Sequence, residues 1–135
     1  DFRENPNKTA LMLAYSNRDV NDLNQQTRTL LKDSGHLSKA EFTYTIKKEV
    51  EDDFGKTHTI KIQKGFSKGD RIVFTKNKYG LGIRNGTMGV ITELNNQTVR
   101  VKLDKGKELS FSPNLNPHFD QGWAITIHKS QGTTV

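Results

Sequence analysis

The residues best equipped for chemistry stand near the C-terminus, where the apolar run Trp123-Ala124-Ile125-Thr126-Ile127 leads into His128-Lys129-Ser130-Gln131-Gly132. A cation and an imidazole at the carboxyl end of a buried strand offer donors toward a phosphate or a base edge, and open parallel sheets place their ligands at that end. Gln131 adds an amide, and Gly132 lets the backbone approach a phosphate closely. Thr126 carries the hydroxyl of the apolar run, which in a buried strand either bonds a backbone group or points at a ligand. Taken singly, each of these residues also suits an ordinary strand-to-helix loop.

A second concentration lies in the glycine-rich stretch 76–86, where Lys76, Lys78 and Arg84 crowd Tyr79. Cations beside an aromatic ring are the ingredients of a groove that tracks a single strand, with the ring stacking on a base. The alternative is that Tyr79 packs half-buried and the lysines face water. Gly55-Lys56-Thr57 looks like the end of a phosphate-binding loop, but that pattern requires a glycine where Val50 stands. The neighbouring Glu49, Glu51, Asp52 and Asp53 would also repel phosphate, so the segment reads as a hairpin turn. The same acidic cluster lacks the alternating ligand spacing of a calcium loop. No metal site and no catalytic residue is assigned.

These groups need elements to hold them. Residues 9–16 are nearly continuously apolar, as in a strand buried on both faces of a parallel sheet. Asn17 can cap a helix in which Val20, Leu23, Leu30 and Leu31 share one side, with Thr27 filling the missing turn and Gly35 at the C-terminal cap. From about residue 41 the period changes to alternation. Phe42, Tyr44 and Ile46, and then Ile60 and Ile62, predict two half-buried strands around the acidic turn. Short strands follow over 71–75, 88–94, 99–103 and 108–111, punctuated by glycines and asparagines. Such a series predicts a small barrel. Pro113 and Pro117 interrupt regular structure, and the last strand begins near Gly122. The simplest assembly is an insertion, in which 1–41 and 114–135 form one α/β layer and 42–113 form the barrel, so that the first and last strands share a sheet.

With 135 residues, the chain is one domain or two small lobes, and 32% hydrophobic content keeps the core modest. The absence of cysteine excludes disulfides and thiolate metal sites and is compatible with a reducing cytoplasm. No apolar run approaches the roughly 18 residues of a membrane span, and no signal sequence opens the chain, so a soluble domain is expected. The missing initiator Met and the ending at Val135 suggest a piece of something longer. The net charge of +6 is unevenly spread: residues 56–107 hold twelve Lys/Arg against three Asp/Glu, or +9, whereas 1–55 come to −2 and 108–135 to −1. Such a cationic middle favours encounter with a polyanion.

Three stretches resemble one family. Residues 11–24 resemble the strand-helix of motif IV of superfamily 1 helicases, residues 68–77 with 84–90 resemble an SH3-like 2B barrel, and residues 123–132 resemble motif V. The chain as a whole resembles the second RecA-like domain, 2A with an inserted 2B, of RecD-type helicases, in the helicase half of TraA/MobA-type conjugative relaxases. The resemblance implies a bacterial, cytoplasmic, ATP-dependent enzyme that tracks single-stranded DNA and unwinds plasmid DNA for transfer. By that likeness Thr126, His128 and Lys129 touch the strand, Gln131 and Gly132 sense the γ-phosphate, and Arg18 contacts nucleotide. Thr134 departs from the family, whose members often carry Glu there. ATP and Mg2+ would serve the full-length protein, whose other helicase and relaxase domains are the expected partners. The piece alone lacks both Walker motifs and is expected neither to bind these cofactors nor to hydrolyse ATP. The alternatives are a stand-alone SH3-like module that holds RNA or DNA, and a barrel that docks protein.

Overall fold

A computed structural model describes residues 12–14 and 17–126, with side chains from 18 to 125. The fold is mixed α/β, mostly strands with one helix. In order these are β1 (Met12–Ala14), α1 (Asn17–Asp33), β2 (Phe42–Glu51), β3 (Thr57–Phe66), β4 (Arg71–Phe74), β5 (Met88–Leu94), β6 (Val99–Leu103), β7 (Glu108–Phe111), β8 (Phe119–Gln121) and β9 (Ala124–Thr126).

The first and last strands pair in parallel, with Met12 opposite Ala124 and Ala14 opposite Thr126, as the insertion reading requires. Helix α1 packs against both. It ends as its glycine predicts: Gly35 takes a φ of 80°, Gly35 N–H donates to the Lys32 carbonyl, and His36 N–H donates back to that of Leu31. Its inward face differs from expectation. Leu30 is 44% exposed, while Asn24 and Arg28 are buried. Leu30 stands about a quarter turn from the line through Val20, Thr27 and Leu31, and the two polar residues have partners that make their burial affordable.

The remaining strands form two sheets. β2 and β3, ten residues each, make an antiparallel hairpin running from Phe42 opposite Phe66 to Glu51 opposite Thr57. In its turn the Asp52 carboxylate accepts the N–H groups of Phe54 and Lys56, and Gly55 takes a φ of 80°, so the Gly55-Lys56-Thr57 segment is a hairpin turn. The second sheet is antiparallel and five-stranded, in the order β7-β6-β5-β4-β8. One core joins the two sheets, with Tyr44, Ile46 and Phe66 of the hairpin packed among Ile72, Ile91, Val101 and Phe119. Rings tile it: Phe119 lies 5.2 Å from Phe66 and 5.1 Å from Phe111, close enough for edge-on aromatic contact.

β8 lies in the segment that the prolines marked as irregular. It pairs with β4, Phe74 opposite Phe119 and Ile72 opposite Gln121. All three of its residues are buried, two of them polar, so it shows no apolar alternation. Gly122, just beyond, is held against β4: a Cβ there would stand 2.8 Å from the Ile72 carbonyl carbon.

Candidate nucleic-acid interface

The parallel register puts Thr126, the last residue of β9, beside Ala14, the last of β1, and α1 begins at Asn17. The carboxyl ends of both strands and the first turn of α1 thus occupy one edge. Arg18, exposed in that turn, is there. Thr126 is placed by its backbone alone, and His128, Lys129, Gln131 and Gly132 lie outside the described residues.

What fixes β9 is a set of buried polar groups. The side-chain amide of Asn24 grips both backbone polar groups of one residue: its Oδ1 accepts from Ala124 N–H at 2.9 Å, and its Nδ2 donates to the Ala124 carbonyl at 3.2 Å. The helix thereby acts as a further hydrogen-bonding neighbour for the strand. Asp70, fully buried in the link between β3 and β4, accepts from Arg28 Nε at 3.1 Å, from the Trp123 indole N–H at 2.9 Å and from Ser67 N–H at 2.8 Å. Burial pushes the Asp70 carboxyl up, against the opposing pull of Arg28, Trp123 and Ser67. Arg28 also reaches Glu41 at 2.6 Å. One residue before Gln121, Asp120 is shared by Lys48 at 2.8 Å and Lys64 at 2.7 Å, and Lys64 donates as well to Asn21 of α1. Burial alone would raise the Asp120 carboxyl, but the two ammonium groups outweigh it and hold it below its ordinary value. Burial lowers Lys64 too, because a carboxylate divided between two lysines compensates each incompletely.

The second cluster is brought together within one loop. Lys76, Lys78, Tyr79 and Arg84 lie between β4 and β5, all exposed, with Tyr79 77% exposed. Tyr79 is therefore not half-buried packing. The loop is nonetheless anchored. Lys78 bridges Ile83 in antiparallel fashion, Ile83 is buried in the core, and a 3-10 turn over Tyr79–Leu81 lies between them. Asn77 donates to the Tyr79 hydroxyl at 3.3 Å and accepts from Asn85 N–H at 2.8 Å. Lys76 lies 4.0 Å from Glu49 of β2. A Cβ on Gly82 would be 3.2 Å from Lys107 Nζ, which places another cation beside the loop.

Two further basic residues were not singled out from the sequence. His118 lies at the head of β8, its carbonyl accepting from Thr75 N–H at 3.0 Å, and Lys47 of β2 donates its N–H to the neighbouring Pro117 carbonyl at 2.9 Å. Burial lowers the His118 imidazole pKa, and Lys76, Lys47 and Lys78 lower it further, against Glu49. No local signal marks these residues, because only long-range contacts bring them to the loop: the β4–β8 pairing for His118 and the bond to Pro117 for Lys47. This loop cluster meets the start of β8, whereas β9 follows its end, so the two candidate groups are not merged.

A surface groove of about 450 Å³ beside Phe42, Lys68, Asn95 and Arg100 includes none of the candidate residues. Among the described residues no group of three His, Asp or Glu could hold a metal, and no helix is long and apolar enough to cross a membrane.

No family model matches the chain. It is 34% identical over 133 residues to "Probable conjugal transfer protein TraA" of Sinorhizobium fredii, covering 96% of this chain and 11% of that protein. It is also 34% identical over 134 residues to conjugal transfer protein TraA of Agrobacterium fabrum, covering 95% and 11%. The chain thus spans about a tenth of the length of the curated relatives it matches. Among solved structures, a double mutant of Pif1 helicase from Bacteroides superposes with a TM-score of 0.64 at 20% identity, over 97% of this chain and 33% of that one. Bacteroides Pif1 bound to ssDNA gives 0.62 at 20% identity, over 93% and 32%. The chain is a homologue of a segment of TraA proteins and shares the fold of part of a Pif1 helicase.

Proposed function

We propose that the chain is the strand-gripping lobe of an ATP-dependent DNA helicase that acts in conjugative plasmid transfer. The observation that carries this is the parallel pairing of β1 with β9 under α1, in a chain homologous to TraA and folded like part of a Pif1 helicase. That pairing supports reading 1–41 and 114–135 as a partial RecA-like lobe, the 2A domain of a RecD-like helicase, interrupted by an SH3-like 2B barrel over 42–113. β8, from the later segment, adds an edge strand to the inserted sheet.

In this reading the edge at which β9 ends faces both ligands. Thr126, His128 and Lys129 hold the DNA backbone, and Gln131, Gly132 and Arg18 face the nucleotide. Lys76, Lys78, Tyr79 and Arg84 give the barrel its own contact with the strand, the ring stacking on a base while the cations take phosphates. ATP and Mg2+ belong to the full-length protein. There the lobe works against the other helicase domains and, beyond them, a relaxase.

The test is a fluorescence polarisation titration with a labelled single-stranded oligonucleotide over a salt series. Each cation on a phosphate contributes a slope of about −0.7 in log K against log salt. Lys76→Ala and Lys129→Ala should each flatten the slope by about that amount and weaken binding for every sequence alike. Binding indifferent to salt would contradict the reading, and measurable peptide binding without DNA affinity would favour a protein-docking barrel.

A further inference from the structure

The loop between β4 and β5 was recognisable by its own cations, but the structure also sets one imidazole, His118, among cations of two elements, this loop and β2. His118 is tied to the loop by the hydrogen bond from Thr75 N–H, one residue before Lys76. Lys47 reaches the same place from the hairpin, through its N–H bond to the Pro117 carbonyl. Lys76, Lys47 and Lys78 all act on the His118 ring, and the carboxylate that faces it is Glu49. Glu49 also stands 4.0 Å from Lys76 Nζ. Three fixed positive charges against one negative leave an excess of two before the imidazole titrates.

We propose that Lys47 and His118 join Lys76 and Lys78 to form a seat for a phosphodiester of single-stranded DNA, and that the seat holds its phosphate more tightly when His118 is protonated. The inference rests on the reading of the loop as a DNA contact and adds to it two residues and a pH dependence. The physics is reciprocal. In the free protein, burial and the lysines lower the pKa of the ring and so disfavour its charged form. A bound phosphate cancels much of the field of the lysines and offers an acceptor to a ring N–H, so binding favours proton uptake. By linkage, proton uptake must favour binding to the same extent. Glu49, 4.0 Å from Lys76 Nζ, competes with a phosphate for that cation.

The experiment follows the His118 ring by NMR in the 135-residue chain with and without saturating oligo(dT), together with polarisation titrations at several pH values. DNA should raise the His118 pKa by about one unit, which corresponds to about tenfold tighter binding once the ring is charged. Site-specific ring signals are needed because the chain holds three other histidines, His36, His58 and His128. His118→Gln should keep its affinity at pH 8 and lose the tightening toward pH 5.5, and Glu49→Gln should bind more tightly than the parent throughout. A His118 pKa unmoved by DNA overturns the inference, and so does a His118→Gln variant with the full pH dependence. If that variant fails to fold, the wild-type ring titration decides alone. Salt-steep binding with an indifferent His118 removes this inference and leaves the DNA contact standing, whereas no salt-dependent binding at any pH removes both.

Discussion

Replacing Asp70 by Ala should destabilise this chain more than any other single change at a polar position. The carboxylate is fully buried and accepts from Arg28, Trp123 and Ser67. Without it, Arg28 keeps, among the described residues, only the partly exposed Glu41 as counter-charge, its own side chain being 5% exposed. The Trp123 indole and Ser67 amide lose their acceptor. Removing one member of a buried ion pair costs about 3–5 kcal/mol, because the survivor remains desolvated and unpaired. With a urea dependence of about 2 kcal/mol per molar, the unfolding midpoint should fall by about 2 M. The assay is built in, since Trp123 is the sole tryptophan and is itself part of the network. Its fluorescence should report the loss directly. The double variant Arg28→Met/Asp70→Leu should be less destabilised than Asp70→Ala, because it leaves no buried charge alone. An Asp70→Ala protein within about 0.5 kcal/mol of the parent would mean that the carboxylate does not hold this network, because that is the range expected of surface substitutions.

Asn24→Ala should cost about 1–3 kcal/mol in the same urea assay, since the backbone N–H and C=O of Ala124 both lose a buried partner. Gly122→Ala should cost a similar amount, about 1–3 kcal/mol, because the new methyl meets the Ile72 backbone rather than a side chain that can move. The Asp120 carboxyl titrates lower in the folded chain than in the unfolded one, so its stabilisation is complete above its ordinary value of 3.8 and is lost as pH falls through the lower, folded value. Asp120→Asn should therefore be less stable near neutrality and show a shallower loss of stability on acidification, and an acid limb as steep as the parent's would contradict this.

Much of the fold was legible because apolar period and turn residues carry it. The alternation through Tyr44 and Ile46, the glycine after α1 and the strands at 88–94, 99–103 and 108–111 all stand where local pattern placed them. What stayed hidden depends on partners far along the chain. Asn24 and Ala124 are 100 residues apart, and Arg28 and Asp70 are 42 apart, so nothing near Asn24 or Arg28 distinguishes a buried, satisfied polar group from a solvated one. Leu30 illustrates the converse, an apolar residue at helical spacing that faces water. β8 was missed because Asp120 and Gln121 are buried by virtue of their bonds to Lys48, Lys64 and the Gly65 carbonyl. Of the interface, the cations of the loop were visible as composition. Lys47 and His118 were not, because their placement follows from the Lys47 bond to Pro117 and from β8 pairing with β4.

The most direct measurement is amide shift mapping by NMR on the isotope-labelled 135-residue chain as a single-stranded oligonucleotide is added. Strand binding by this face should concentrate perturbations at residues 76–84, at Lys47 and His118, and over 126–132. Perturbations confined to the acidic hairpin tip at 52–55, or no localised change at saturating oligonucleotide, would contradict it.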